Sequence, residues 1–251
     1  MEETLKIIAV SYLNTLPFIH GINNSGVLKK CDLVMDNPGQ CVENALQSKG
    51  DIALIPVASL HQFPNAKIIT DFCLGANKQV CSVSLLSKKP LNEITSIDLD
   101  FHSRTSVKLI KVLAENHWKI KNIKWNNIDT TKEENINKTD SVLLIGDKVF
   151  KHKDKFEYCY DLSEEWHSFI GLPFVFACWI QLNPELNQKL LSNFNNALKW
   201  GIERREELVD IIQNDYPNID VKNYLYNCID YSFNNEKRKG MNEFLKLAVN
   251  F

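Results

Sequence analysis

No glycine-rich nucleotide fingerprint, Walker loop, H-E-x-x-H or C-x-x-C pair occurs in these 251 residues. The first two absences leave nucleotide-phosphate binding without support, and the last two remove familiar zinc and dithiol patterns. A charge excess is missing as well: 29 Lys and Arg face 31 Asp and Glu, a formal charge of -2. No global nucleic-acid or membrane surface follows from such a balance, although a local basic cleft would be invisible in the sum. No apolar run approaches membrane-spanning length. Met1-Glu2-Glu3 lacks the basic, apolar and small-residue order of a secretory leader, so the expectation is a cytoplasmic protein. The cysteines, Cys31, Cys41, Cys73, Cys81, Cys159, Cys178 and Cys228, are scattered and odd in number. Among apolar neighbours, as in Ala177-Cys178-Trp179, they read as small reduced hydrophobes, with neither a disulfide framework nor a metal site supported. The six histidines are equally dispersed, and no repeat or low-complexity tract appears.

What is present is an ordinary globular composition, 44% hydrophobic and 24% charged, on a 28.9 kDa chain long enough for one large domain or two lobes. The chain is organised around Val10-Ser11-Tyr12-Leu13-Asn14-Thr15-Leu16-Pro17-Phe18. The short branched run Leu5 to Val10 reads as a buried strand, and Pro17 suits a first helical turn. Ser11, Tyr12, Asn14 and Thr15 then occupy a loop at the carboxyl end of a strand, where open α/β folds place ligands. Local backbone bonding is the other use of such an Asn.

Further along, a strand at Cys31 to Met35, a helix from Pro38 to Lys49 and a strand at Asp51 to Pro56 complete a strand-helix rhythm, which predicts a parallel sheet covered by helices. Pro64 to Thr70 predicts a short strand. Val80 to Ser87 predicts another, whose serines either alternate with an apolar face or carry Ser82 and Ser84 past a crevice between lobes. Ile94 to Leu99 leads through Asp100 to Ser106 into an amphipathic helix. Ser103 or Thr105 would cap it, and Arg104 meets either solvent or a carboxylate or phosphate. The buried run Ser141 to Ile145 ends in Gly146-Asp147, where Asp147 caps a helix or faces a substrate. Gly171 to Trp179 returns to strand. After Pro184 the expectation is all helix: one helix closed by Gly201, one over Ile202 to Gln213, one from Asp220 to Tyr231, and a last from Asn235 to Val249. Lys237-Arg238-Lys239 reads as a solvated helix face. The three strand-to-helix junctions and the polar strand at Ser82 together favour a small anionic ligand over a polymer.

At these motifs the chain resembles the MqnA chorismate dehydratase family of the futalosine route to menaquinone. The residues carrying the resemblance are Ser11-Tyr12-Leu13-Asn14 with Pro17, Gly50 to Pro56, Ser82 to Ser87, Ser103-Arg104-Thr105-Ser106-Val107 after Leu99-Asp100, Ile145-Gly146-Asp147, and Trp166 with Gly171 to Ala177. They stand in family order over the first three quarters of the chain. Two departures are visible. Leu16 stands where the family often has Arg, and Lys148-Val149 where it commonly has Ala-Leu. The sister dihydroxynaphthoate synthases normally open with Cys-Pro-Asn-Asp, against Tyr-Leu-Asn-Thr here.

The resemblance implies an α/β fold of the periplasmic-binding-protein-like type II, with residues 1–85 and 177–251 in one lobe and 86–176 in the other. Ser82 to Ser87 and Val175 to Trp179 then become crossover strands. It implies loss of water from chorismate to give 3-[(1-carboxyvinyl)oxy]benzoate, without a cofactor or metal. Asn14 and Ser82 are the implied catalytic positions. Ser11, Tyr12, Ser84, Ser103, Arg104, Thr105, Ser106 and Asp147 are candidates for binding substrate, while His20 and His102 read as structural. A clamp that holds a small aromatic or enolpyruvyl carboxylate without turnover is the alternative, since fold does not decide chemistry.

Overall fold

The computed structural model describes residues 4–100 and 103–251, so His102 lies outside the described residues. Strand β1 (Leu5–Val10) pairs in parallel with β2 (Cys31–Asp36) and β3 (Ile52–Pro56). The intervening helices α1 (Leu16–Asn24) and α2 (Pro38–Leu46) each carry proline in the first turn, and Asn37 caps α2 by accepting from the Gln40 N–H. The next strand, β4 (Lys67–Ala76), outruns the short strand expected at Pro64 to Thr70.

A second sheet follows. It contains β5 (Val83–Ser87), β6 (Ser96–Asp100), β7 (Lys124–Ile128), β8 (Ser141–Ile145) and β9 (Tyr158–Asp161), in the order β7-β6-β8-β5-β9. Its helices are α3 (Arg104–Asn116), α4 (Glu133–Asn137), α5 (Asp147–His152) and α6 (Leu162–Ile170). The chain then re-enters the first sheet as β10 (Phe174–Gln181), antiparallel to both β3 and β4. The remainder comprises α7 (Gln188–Glu203), α8 (Arg205–Ile212), the short α9 (Val221–Asn223), β11 (Asp230–Ser232) and α10 (Asn235–Leu247), and gives the first sheet the order β11-β4-β10-β3-β1-β2. Each sheet, flanked by helices, forms one of two lobes.

Several expectations need correction. The strand from Ser82 to Ser87 does not itself cross between lobes: β5 belongs to the second sheet, and the segment after Ala76 makes the passage. Val175 to Trp179 likewise lies within the first sheet. The helix expected from Asp220 to Tyr231 breaks into α9, a π-helical turn over Tyr224–Cys228, and β11, which pairs with β4. Long-range partners of Tyr224, Cys228 and Asp230 outweigh the helical periodicity there. Gly201 does not close its helix but sits inside α7, where a Cβ would lie 2.0 Å from the Pro17 carbonyl oxygen on α1. Lys237 is buried rather than solvated, with its ammonium 3.0 Å from the Asp230 carboxylate and donating to the Asp230 carbonyl at 2.6 Å. Cys81 and Cys228 form a disulfide, Cα atoms 5.9 Å apart, against the expectation of reduced cysteines throughout. Their spacing of 147 residues carries no local signal.

The core runs through both lobes, with β3 buried along its length and Ile7, Ile8 and Ala9 of β1 inaccessible. Phe18, Trp179 and Phe194 meet edge to face in the first lobe. Trp166, Phe174 and Phe244 repeat this where the lobes join. Such aromatic contacts add to the area they bury.

Candidate functional site

The junctions picked out by the sequence converge on a cavity between the two sheets, enclosing about 570 Å³ of empty space including its solvent-open part. Tyr12 and Asn14 enter from the loop after β1, Ser82 from the passage between sheets, and Ser103, Arg104, Thr105 and Ser106 from the start of α3. Apolar walls come from Val10, Leu74, Phe176 and Ile229. Ser11, Ser84 and Asp147 are not brought to the wall. Ser11 is exposed, with its N–H donating to Asp36, and Ser84 is buried within β5 with its hydroxyl bonded to Cys159.

Asp147 stands behind the wall and accepts from the Leu13 N–H, which ties the second lobe to the first. It is the first residue of α5 and its side chain makes no cap; Gly146 holds the cap position. Burial raises its carboxyl pKa, against the Leu13 bond that lowers it. Gly146 lines the cavity with φ of 64° and ψ of -147°, a region only glycine occupies readily. A Cβ there would meet the Tyr12 ring at 3.0 Å. The same ring is buried deeply enough that its phenol titrates well above the ordinary tyrosine range, with Asp100 and Asp147 adding to the rise.

Arg104 is the only Lys or Arg among the described lining residues. Its guanidinium forms an ion pair with Glu43 of α2 and donates to Gln62 at 3.5 Å, both in the first lobe. Thr105 uses its hydroxyl structurally, donating to the Phe176 carbonyl at 3.1 Å and accepting from the Ala58 N–H at 3.3 Å. Ser103 occupies the cap position of α3 without a side-chain cap bond. Leu16, at the position where the resembled family often has Arg, adds no cation. Lys148 pairs instead with buried Asp100 at 2.8 Å and with Thr130 at 2.5 Å. His20 packs against Trp200 and bonds Asn24, away from the cavity.

Two residues that sequence reasoning placed only in the helical C-terminal region, Tyr224 and Tyr231, stand behind the cavity wall and hydrogen-bond residues that line it. Tyr224 donates its phenol to Ser82 Oγ at 2.8 Å, and Tyr231 donates to the Asn14 carbonyl oxygen at 2.9 Å. Separations of 142 and 217 residues hide both from any local pattern. Among the described residues no group of three or more His, Cys, Asp and Glu is arranged to hold a metal, and no helix is long and apolar enough to cross a membrane.

This architecture is shared with solved structures of low identity. An Archaeoglobus fulgidus protein superposes with a TM-score of 0.74 at 12% identity, covering 98% of this chain and 96% of its own. An ABC transporter structure from Parabacteroides distasonis gives 0.72 at 17%, covering 99% and 92%. The periplasmic aliphatic sulphonate binding protein of Escherichia coli gives 0.64 at 12%, covering 98% and 87%. These likenesses establish the periplasmic-binding-protein-like type II fold. They also overturn the cytoplasmic expectation, because structures of this architecture include periplasmic and transport-associated proteins. The sequence model of a family described as menaquinone biosynthesis matches residues 5–250, nearly the whole length, and this chain belongs to that family.

Proposed function

We propose that the chain is a two-lobed clamp for a small enolpyruvyl or aromatic carboxylate in menaquinone biosynthesis. The observation that carries this reading is the interlobe cavity, in which the N-terminus of α3 with Ser103, Arg104 and Ser106 faces apolar walls. Free N–H groups at a helix start and one guanidinium suit a carboxylate, and flat apolar walls suit a ring or an enolpyruvyl group. Closure would exclude water and strengthen these contacts.

A second reading, dehydration of chorismate, is favoured by the meeting of Asn14 and Ser82 at one cavity. In that reaction the ring C3 proton and the C4 hydroxyl leave together as water, and the ring becomes aromatic. An amide is a poor base, so Asn14 would hydrogen-bond the hydroxyl or the enolpyruvyl group. Ser82 would orient a substrate oxygen. The substrate's own enolpyruvyl carboxylate, held in position by the two side chains, would take the C3 proton and pass it to the departing C4 hydroxyl, which leaves as water.

The test is calorimetric titration with chorismate, beside mass spectrometry of the incubated mixture and a boiled control. Binding with enzyme-dependent 3-[(1-carboxyvinyl)oxy]benzoate establishes the dehydratase. Binding without product leaves the clamp, and no binding overturns both readings.

A further inference from the structure

Ser82 is held from several sides. Its carbonyl oxygen accepts from the Gly146 N–H at 2.8 Å. The preceding Cys81 donates its N–H to the Asp161 carboxylate at 2.6 Å and is joined through sulfur to Cys228. What remains undetermined by the backbone is the direction of the Ser82 hydroxyl. A serine hydroxyl has one proton to give and two lone-pair sites to receive. Tyr224 gives its phenol proton to Ser82 Oγ, so the Ser82 proton is left to be donated elsewhere.

Tyr224 is itself fastened on every side. Its ring is buried, Phe150 of the second lobe packs against it edge to face with centroids 5.0 Å apart, and Asn14 of the first lobe hydrogen-bonds the same phenol. Asn14 Oδ1 accepts from the Thr15 hydroxyl at 3.3 Å, which leaves the Asn14 amide protons to serve as donors. The residue begins the π-helical turn whose last member, Cys228, is bonded to the neighbour of Ser82. Such widened turns occur frequently at functional sites. Burial keeps the phenol protonated far above the ordinary range, so it remains a donor at any working pH.

We infer that Tyr224 is a positioning residue that turns the Ser82 hydroxyl proton toward the cavity, so that the ligand must present an acceptor oxygen, carboxylate or ether, at Ser82. This deepens the clamp reading and rests on it. Neither group in the Tyr224–Ser82 pair needs to change its charge. The hydrogen-bond direction selects the ligand atom.

The experiment is a double-mutant cycle on chorismate affinity by calorimetry, with the thermal midpoint of each protein recorded beside it. Tyr224→Phe keeps the ring and removes the donor. It is expected to weaken binding about fivefold to tenfold, Ser82→Ala about tenfold, and the double variant no more than Ser82→Ala alone. A merely structural role for Tyr224 would lower the midpoint while leaving the two affinity losses additive. Additive losses, or wild-type affinity in Tyr224→Phe, overturn the inference. Should Tyr224→Phe not fold, the same cycle is run with Cys228→Ser, which frees the turn and keeps the phenol. Coupled losses there support the inference and additive losses overturn it. Wild-type protein that does not bind chorismate overturns the functional reading and this inference with it, and is told apart by failing before any variant is compared.

Discussion

Arg104 at the start of α3 is ion-paired across the cleft with Glu43 of α2. The contact bridges the lobes, yet it occupies the one Lys or Arg among the described residues that line the cavity. With side chains 32% and 48% exposed, the pair belongs to the class worth about 0.2–1 kcal/mol. A ligand carboxylate therefore competes with a weak internal partner. Glu43→Gln is expected to strengthen chorismate binding by up to about fivefold, and Arg104→Ala to weaken it, both differences shrinking at high salt. Calorimetry at two ionic strengths checks this. Weaker binding by Glu43→Gln would instead make Glu43 a contributor to the site.

Under the dehydratase reading, Asn14→Ala and Ser82→Ala lower turnover of bound chorismate by about 10²–10³, as removal of a positioned hydrogen-bond donor does. Their affinity losses stay near tenfold. Single-turnover kinetics separates the two effects. Strongly weakened binding with unchanged conversion of bound substrate would remove both residues from the chemistry.

Gly146→Ala combines a backbone that L residues avoid with a Cβ against the Tyr12 ring. A cost of about 2 kcal/mol is expected from the backbone alone, read as a thermal midpoint several degrees lower, with chorismate affinity falling because Tyr12 is displaced. A midpoint equal to wild type would show that the turn relaxes freely.

Asp161 accepts from the N–H groups of Val80, Cys81, Ser163 and Glu164, which favour its ionised form, but burial prevails and pushes its pKa up to about 6. An unfolded aspartate titrates near 3.9. Because the folded value is the higher one, the native state binds the proton more tightly. The stabilisation from this group is full below about pH 4 and is lost as pH rises through about 6. The midpoint difference between wild type and Asp161→Asn should therefore shift against wild type from pH 4 to pH 7. A difference independent of pH would show that the backbone donors hold Asp161 ionised throughout.

Much of the fold was legible in the chain. Leu5–Val10 and Ser141–Ile145 are short apolar runs ended by turn-forming residues, and they form strands as that pattern predicts. The proline at the start of α2 and the asparagine before it act within four residues, so their effect is written locally. The opening loop and the start of α3 stood out as candidate site material for the same reason, since strand ends and helix starts expose backbone groups to a ligand, and Ser82 stood out as a polar residue in an apolar strand; all three come to one cavity.

By itself the sequence determined these local decisions: the strand and helix alternation, the capped α2, and the polar residues at the junctions. They depend on neighbours a few positions away, whose conformational preferences do not await the rest of the chain. Only the tertiary structure decided that Ser11, Ser84 and Asp147 stand off the cavity while Tyr224 and Tyr231 hydrogen-bond its lining residues Ser82 and Asn14 from behind, that Cys81 joins Cys228, and that Lys237 is buried on Asp230. Tyr224, Tyr231 and Cys228 find partners 142 to 217 residues away. Asp230 takes its place once β11 joins the edge of the first sheet. These arrangements arise when the C-terminal segment packs beside the passage between the sheets, and the packing that fixes them exists only in the assembled fold.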